Sequence, residues 1–174
     1  LAQANSESMN EIGVRRVITA CPHCFNTFKN EYPDFGGRYE VTHHADFLQF
    51  LVAKGALKPK EMNGQTITFH DSCYIGRGNG IYDSPREVLE SIPGVKLVEM
   101  PRTRENAFCC GAGRGTKEAF PEFANWAATQ RLEHLRGPGA RWSVVVSDRI
   151  ADLANTVNFE FRGAMRAVSR NMDE

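Results

Sequence analysis

The stretch "VITACPHCFNTF", residues 17–28, decides the reading of the fold. A β-branched run, Val17, Ile18 and Thr19, has the character of the end of a buried strand. It leads directly into Cys21-Pro22-His23-Cys24. After Cys21, a proline one step in and phenylalanines at 25 and 28 mark the start of a helix. A cysteine at such a strand-to-helix junction feels the positive end of the helix dipole, which favours its thiolate. Both a disulfide-exchanging dithiol and a pair of metal ligands need that thiolate. The local sequence leaves both open.

Working outward, short β-branched runs alternate with helical ones. Strands are expected at 14–19, 39–43, 65–70, 94–99 and 142–146, and helices at 22–32, 45–54, 85–91, 118–136 and 148–156. This alternation predicts an α/β fold with short, mostly parallel sheets flanked by helices. Ser84, Pro85 and Glu87 form a capping-box pattern at the head of one helix. Phe120, Phe123, Trp126 and Ala127, continued by Leu132 and Leu135, make a helical apolar stripe, expected to face the core. The stretch "KGALKPKEMNGQT", residues 54–66, lacks periodicity and places a boundary near residue 60, giving units 1–60 and 61–174. A weak echo between "RRVITACPHC" (15–24) and "RWSVVVSDRI" (141–150) suggests that the two units are similar, with thiols in only one copy of the echo.

Composition narrows the function. Lys plus Arg and Asp plus Glu both number 21, so formal net charge is zero and no basic stripe points to nucleic acid. With 41% hydrophobic residues the 174-residue chain can bury a core. It has no run of about 18 apolar residues to span a membrane. Residues 1–12 lack the apolar region of a signal peptide, so a reducing, cytoplasmic setting is expected. The first residue, Leu1 rather than Met, suggests a piece of a longer or a processed chain.

The chain has five cysteines, Cys21, Cys24, Cys73, Cys109 and Cys110. Clustered cysteines in a reducing compartment point to metal binding or catalysis. Cys73 follows the strand "TITFHD" in a loop containing Gly76, Gly78 and Gly80, which gives backbone room for a phosphate or a bulky inorganic cluster. Cys109 and Cys110 are adjacent and precede "GAGRG". Neighbouring cysteines are poor disulfide partners but suit a polynuclear cluster, with glycine N–H groups left to hydrogen-bond sulfur. Two small buried hydrophobes beside a tight turn are the plainer alternative.

Of the histidines, His70 (with Asp71) is placed to support a site as a hydrogen-bond partner. His43 and His44 are strand neighbours that point to opposite faces. His23 and His134 carry no further signal. Arg102 and Arg104, ahead of the cysteine pair, are placed to stabilise an anionic group, or are simply exposed loop arginines.

"TACPHCFNTFKNEYP", "FHDSCYIGRGNGIYDSPREVLESIPGVKLVEM" and "FCCGAG" resemble the cysteine-rich CCG domains of heterodisulfide-reductase-type iron–sulfur oxidoreductases and of the iron–sulfur subunits of glycolate and lactate oxidation systems. The resemblance runs to about residue 140. It implies tandem domains, each carrying C…CCG…CxxC, and a five-cysteine set able to hold a [4Fe–4S] cluster, including one of non-cubane type. Cys21 and Cys24 match the closing CxxC of a first domain, whose other ligands would lie upstream. Cys73, Cys109 and Cys110 match the opening C…CCG of a second. Its closing CxxC is expected near Ser147 to Ile150, where no cysteine stands and where Asp148 is the nearest substitute.

The resemblance implies a module passing electrons between a redox partner (a flavoprotein carrying FAD, a ferredoxin-like domain or a quinone-linked protein) and a small-molecule or disulfide substrate, at the membrane only through partners. Four readings follow. They are this iron–sulfur module; a thiol–disulfide oxidoreductase using Cys21 and Cys24; a zinc module pooling Cys21, Cys24, Cys109 and Cys110; and a cluster-free scaffold.

Overall fold

The computed structural model of the chain describes residues 1–136 apart from 63, 112 and 114, together with 144–146. Two parallel sheets organise them. The first pairs β1 (Arg16–Thr19) with β2 (Glu40–His43), Arg16 opposite Glu40 and Thr19 opposite His43. The second has β3 (Gln65–Phe69) at its centre, flanked by β4 (Val95–Leu97) and β5 (Val144–Val146). Parallel neighbours cannot be joined by a tight hairpin, so each needs a crossover. The first crossover is α2 (Pro22–Asn26), a π-helical turn (Thr27–Glu31) and a 3₁₀ turn (Tyr32–Phe35). Then α3 (His44–Ala53) leaves β2, and α4 (Asp83–Glu90) joins β3 to β4. The short α5 (Thr116–Ala119) and the long α6 (Pro121–Arg136) precede β5. This is the α/β class that the alternation predicts.

The strands differ in burial for a topological reason. The central β3 is covered, and its consecutive residues Ile67, Thr68 and Phe69 are all buried, as expected for a parallel strand packed on both faces. β1 is not the buried strand its β-branched run suggested, because Ile18 is 52% exposed.

Several elements depart from expectation. A ten-residue α1 (Ala2–Glu11) forms where the sequence offers no apolar period. It docks through polar groups: Asn5 donates to the Tyr32 hydroxyl (3.1 Å), Asn10 donates to the Gly36 carbonyl (3.0 Å), and the Tyr39 hydroxyl donates to the Ser6 carbonyl (3.4 Å). The helix expected over 22–32 widens into the π turn and ends at Gly36, whose φ of 80° is left-handed.

Ser84 does not cap its helix. α4 begins one residue earlier, and the Ser84 hydroxyl donates instead to Asp46 on α3. With Gln49 donating to Glu87 (2.8 Å), this seats α3 on α4. The helix expected over 118–136 breaks at Phe120, where Pro121 restricts the preceding residue to a non-helical conformation.

Of the expected apolar stripe, Ala127 is buried but the large aromatics do not face the core. Phe120, Phe123 and Trp126 are exposed. The buried face is Ala124, Ala127 and Arg131, with Arg131 at 0% exposure. Small residues let α6 lie close to the polypeptide around Gly111, and large aromatics do not fit there. The side chains of Leu132 and Leu135, the expected helix over 148–156 and the positions from Ser147 to Ile150 lie outside the described residues.

Candidate functional site

The cysteines lie beyond the carboxyl ends of parallel strands, where ligands bind in open α/β sheets. Cys21 follows β1, with its N–H on the Thr19 hydroxyl (3.2 Å) and its carbonyl accepting the Phe25 N–H (2.9 Å). Phe25 anchors the turn, 1% exposed and edge-on to the buried His43 ring at 5.6 Å. The Cys24 thiol is raised above the ordinary thiol range, first by its hydrogen bond to Cys21, then by burial and by the charge of Cys21.

Cys73 sits in a loop wound on itself. Gly76 N–H donates to the Ser72 carbonyl (2.8 Å) and Gly78 N–H to the Cys73 carbonyl (2.8 Å). A Cβ at Gly76 would lie 2.5 Å from the Tyr82 ring. This glycine serves the loop's own packing, rather than room for a ligand.

The approach to this loop is clamped by Arg86, 5% exposed. Its guanidinium grips Asp71 with both arms (2.7 and 2.9 Å), donates to the Tyr82 carbonyl and the Thr103 hydroxyl (both 2.7 Å), pairs with Glu99, and lies 5.2 Å over the Phe69 ring. Asp71 also accepts the Arg104 N–H (2.7 Å). Burial pushes the Asp71 carboxyl up, but the hydrogen bonds from Arg86, Arg104 and Thr103 outweigh it and hold the group below its usual range. Nothing in the sequence marked Arg86.

Gly111 follows the cysteine pair, with φ of 77° and its N–H on the Cys109 sulfur at 3.3 Å. A Cβ there would lie 2.2 Å from the Ala124 carbonyl oxygen of α6. The Cys109 thiol is lowered to about 5, first by a hydrogen bond from Cys110, then by the Gly111 N–H and the Arg77 guanidinium, against the effect of burial. A thiol so placed is a thiolate at neutral pH.

Cys73, Cys109 and Cys110 line one hollow of about 430 Å³, counting its solvent-open part, together with His70, Arg77 and His23. His23 comes from the Cys21–Cys24 turn and packs on Tyr74 beside Cys73 (centroids 4.3 Å apart, 48° between planes). Asn79 ties the same two segments, donating to Asn26 (3.1 Å) and to the Tyr74 carbonyl (2.7 Å). Cys21 and Cys24 themselves are not in the lining. None of the five cysteines forms a disulfide.

Of the arginines ahead of the pair, Arg102 lies over the Phe108 ring (5.0 Å) at the hollow's edge. Arg104 turns away to pair with Asp83 (2.7 Å). His43 and His44 do not project to opposite faces, because α3 begins at His44 and their ring nitrogens meet at 3.2 Å.

The donor chemistry of the hollow fits an iron–sulfur cluster. It offers three soft sulfur donors, one of them held as a thiolate with an N–H on its sulfur, beside arginine cations. Among the described residues, no three His, Cys, Asp or Glu side chains form a group that could hold a metal ion. A zinc ion needs its ligands about 2.3 Å from one centre, so the pooled zinc set is not assembled. A cluster distributes its thiolates over several metals and does not require one centre.

The cysteine-rich CCG domain model matches residues 1–29 and 67–148, and the chain belongs to that family. It is 50% identical over 133 residues to a probable iron-sulfur-binding oxidoreductase, FadF, of Bacillus subtilis, covering 76% of this chain and 19% of the relative. It is 49% identical over 115 residues to an EtfAB:quinone oxidoreductase of Syntrophomonas wolfei, covering 66% of this chain and 16% of the relative. It is 40% identical over 136 residues to one of the subunits of a dihydromethanophenazine:CoB--CoM heterodisulfide reductase from Methanosarcina mazei, covering 76% of this chain and 33% of the relative. The chain thus spans a third or less of the length of these relatives. No solved structure matches it. No helix among the described residues is long and apolar enough to cross a membrane.

Proposed function

We propose that this chain is part of an iron–sulfur oxidoreductase and passes electrons between a redox partner and a substrate. The observation that carries the reading is the convergence of Cys73, Cys109 and Cys110 on one hollow beyond the carboxyl end of β3, with the Gly111 N–H on the Cys109 sulfur. These three thiolates hold a [4Fe–4S] cluster, and Cys21 and Cys24 supply ligands to a second site. When bound, such a cluster accepts and returns single electrons. The residues present do the rest. Arg77 and Cys110 keep Cys109 ionised, and the Arg86–Asp71 pair fixes the loop that carries Cys73.

The names of the similar proteins support an electron-transfer role. They favour partners of the flavoprotein, ferredoxin or quinone-linked kind, with FAD on the partner. The substrate class is a small molecule or disulfide. Residues 1–60 and 61–174 are proposed as the end of one CCG domain and most of another, in the cytoplasm or at its membrane face through partners.

The test is iron and acid-labile sulfide on protein purified without oxygen, with EPR spectra of oxidised and reduced forms. Stoichiometric iron and sulfide, lost when Cys73, Cys109 and Cys110 are replaced by serine, is the expected result. Iron-free protein after reconstitution, or full iron in the triple variant, overturns the reading.

The mutual hydrogen bond of Cys21 and Cys24 favours a second reading, a dithiol that exchanges disulfides. That reading predicts insulin-disulfide reduction that vanishes in Cys21→Ser and persists without iron.

A further inference from the structure

Arg131 is the largest fully buried side chain among the described residues, yet it is a cation. Burying a guanidinium costs several kcal/mol unless its charge and donors are answered. Its donors are only partly answered. Nε donates to His70 Nδ1 (3.0 Å) and Nη1 to the Arg102 carbonyl (3.0 Å), while the buried Nη2 has no hydrogen-bond partner. Among the described residues no carboxylate forms an ion pair with it. Asp71, the carboxylate of the hollow, is already gripped by Arg86. Burial lowers Arg131 to about 10, and the negative charges that draw it back are Asp71 and Cys110.

Among the described residues, Arg77 and Arg102 also form no ion pair with a carboxylate. Arg77 donates to the Ala107 and Glu105 carbonyls (2.7 and 3.3 Å), and Arg102 to the Asn106 carbonyl (3.1 Å). Arg77, Arg102 and Arg131 thus place three cations near Cys109 and Cys110, none of them in an ion pair with a carboxylate among the described residues.

The contact with His70 has a second consequence. An arginine N–H only donates, so His70 Nδ1 must accept, and the ring, 4% exposed, is neutral. Its proton is then on Nε2. His70 lines the hollow with the three thiols.

We infer that Arg131 and His70 set the reduction potential of the group held by Cys73, Cys109 and Cys110, Arg131 as its buried counter-charge and His70 as an Nε2–H donor that Arg131 fixes in place. The inference rests on the reading of the hollow as a cluster site. A fixed positive charge and an N–H directed at sulfur both favour the reduced, more negative state, so the pair raises the potential. Both residues act through their field and hydrogen bonds, as positioning residues.

The test uses the intact protein with Arg131→Met, Arg131→Lys and, as a remote exposed control, Arg38→Met. Iron and sulfide are counted first. A cluster absent from the unmodified protein, or retained in full when the three cysteines become serine, is a failure of the site reading itself. With the cluster present, EPR-monitored redox titration is expected to give a lower midpoint for Arg131→Met than for Arg38→Met, with Arg131→Lys restoring most of the difference. An Arg131→Met protein with full iron and an unshifted midpoint overturns the inference. If Arg131→Met does not fold, Arg131→Lys and the tautomer decide. ¹⁵N NMR of histidine-labelled, iron-free protein is expected to show His70 as the Nε2–H form, and the Nδ1–H form overturns the assignment.

Discussion

Arg86 offers the sharpest test of what holds the site in place. Arg86→Met keeps much of the side-chain volume and removes the guanidinium that spans Asp71, Thr103, the Tyr82 carbonyl and Glu99. The Asp71 side chain is 2% exposed, so the variant leaves a buried carboxylate without its cation. Breaking such a pair from one side costs about 3–5 kcal/mol. Asp71 keeps the Arg104 N–H at 2.7 Å and the Thr103 hydroxyl at 3.1 Å, which places the expected loss near the lower end, about 3 kcal/mol. With a urea m-value of about 2 kcal/mol/M, the unfolding midpoint falls by roughly 1.5 M.

The effect has a pH signature. The folded Asp71 carboxyl is held below its usual range, so its contribution is complete above the unfolded value of about 3.9 and is lost as pH falls below it. The gap between wild type and Arg86→Met is therefore widest at pH 7 and narrows below about pH 4. Asp71→Asn in the Arg86→Met background removes the stranded charge, and the double variant is expected to lose about 1 kcal/mol less than the two single losses added. Urea unfolding followed by circular dichroism measures all four species. A midpoint for Arg86→Met within about 0.3 M of wild type, or strict additivity in the cycle, refutes the clamp.

Three further outcomes follow. Phe25→Ala empties a site that is 1% exposed behind the Cys21–Cys24 turn and is expected to cost about 3–5 kcal/mol in urea unfolding; a loss below about 1 kcal/mol would show that the turn is held otherwise. Gly111→Ala forces a side chain into a left-handed conformation against the Ala124 carbonyl, so a loss of about 1–3 kcal/mol or more is expected, together with lower iron content; an alanine variant with wild-type stability and iron argues against the close approach of α6. His43 is buried and held at about 4, chiefly by burial, so folding stability is full above the unfolded value of about 6.5 and falls by up to about 3 kcal/mol as pH drops from there to about 4. His43→Asn retains a helix-capping side chain and should flatten that part of the stability profile, whereas an unchanged slope assigns the acid sensitivity to other groups.

The fold class was legible because parallel strands announce themselves by β-branched runs between helical segments, and β1 to β5 all fall within the expected spans. Cys21 and Cys73 follow β1 and β3 closely, and strand ends are where an α/β sheet opens, whereas Cys109 and Cys110 come after the 3₁₀ turn Arg104–Asn106 and no strand signal marks them. Elements held by polar contacts were hidden from an apolar-periodicity reading. α1 has Ser6 as its buried residue and is fixed by asparagine and tyrosine hydrogen bonds, so no hydrophobic period betrays it. Ser84 has the spacing of a cap, but a hydroxyl one residue from a helix start is free to choose a better acceptor, and Asp46 from α3 supplies it.

The misassigned face of α6 shows what the sequence did contain. Ranking residues by hydrophobicity selects Phe123 and Trp126 as core and treats Arg131 as solvent-facing. The geometry keeps Ala127 inside but turns the aromatics out, because the backbone at Gly111 approaches α6 closely enough at Ala124 to admit only a small residue there. Those two alanines and Arg131 stand at i, i+3 and i+7, which is one helical face. A small-small-arginine face on a helix following a CCG is therefore readable as a close-packed seam ending in a buried cation. Such a cation is tolerable only where something negative comes to meet it. No described carboxylate forms an ion pair with Arg131, and the negative charges that favour its charged form are those of Asp71 and Cys110. The seam and the cysteine pair are thus two parts of one device: the glycine that lets the helix approach is the one whose N–H reaches the Cys109 sulfur.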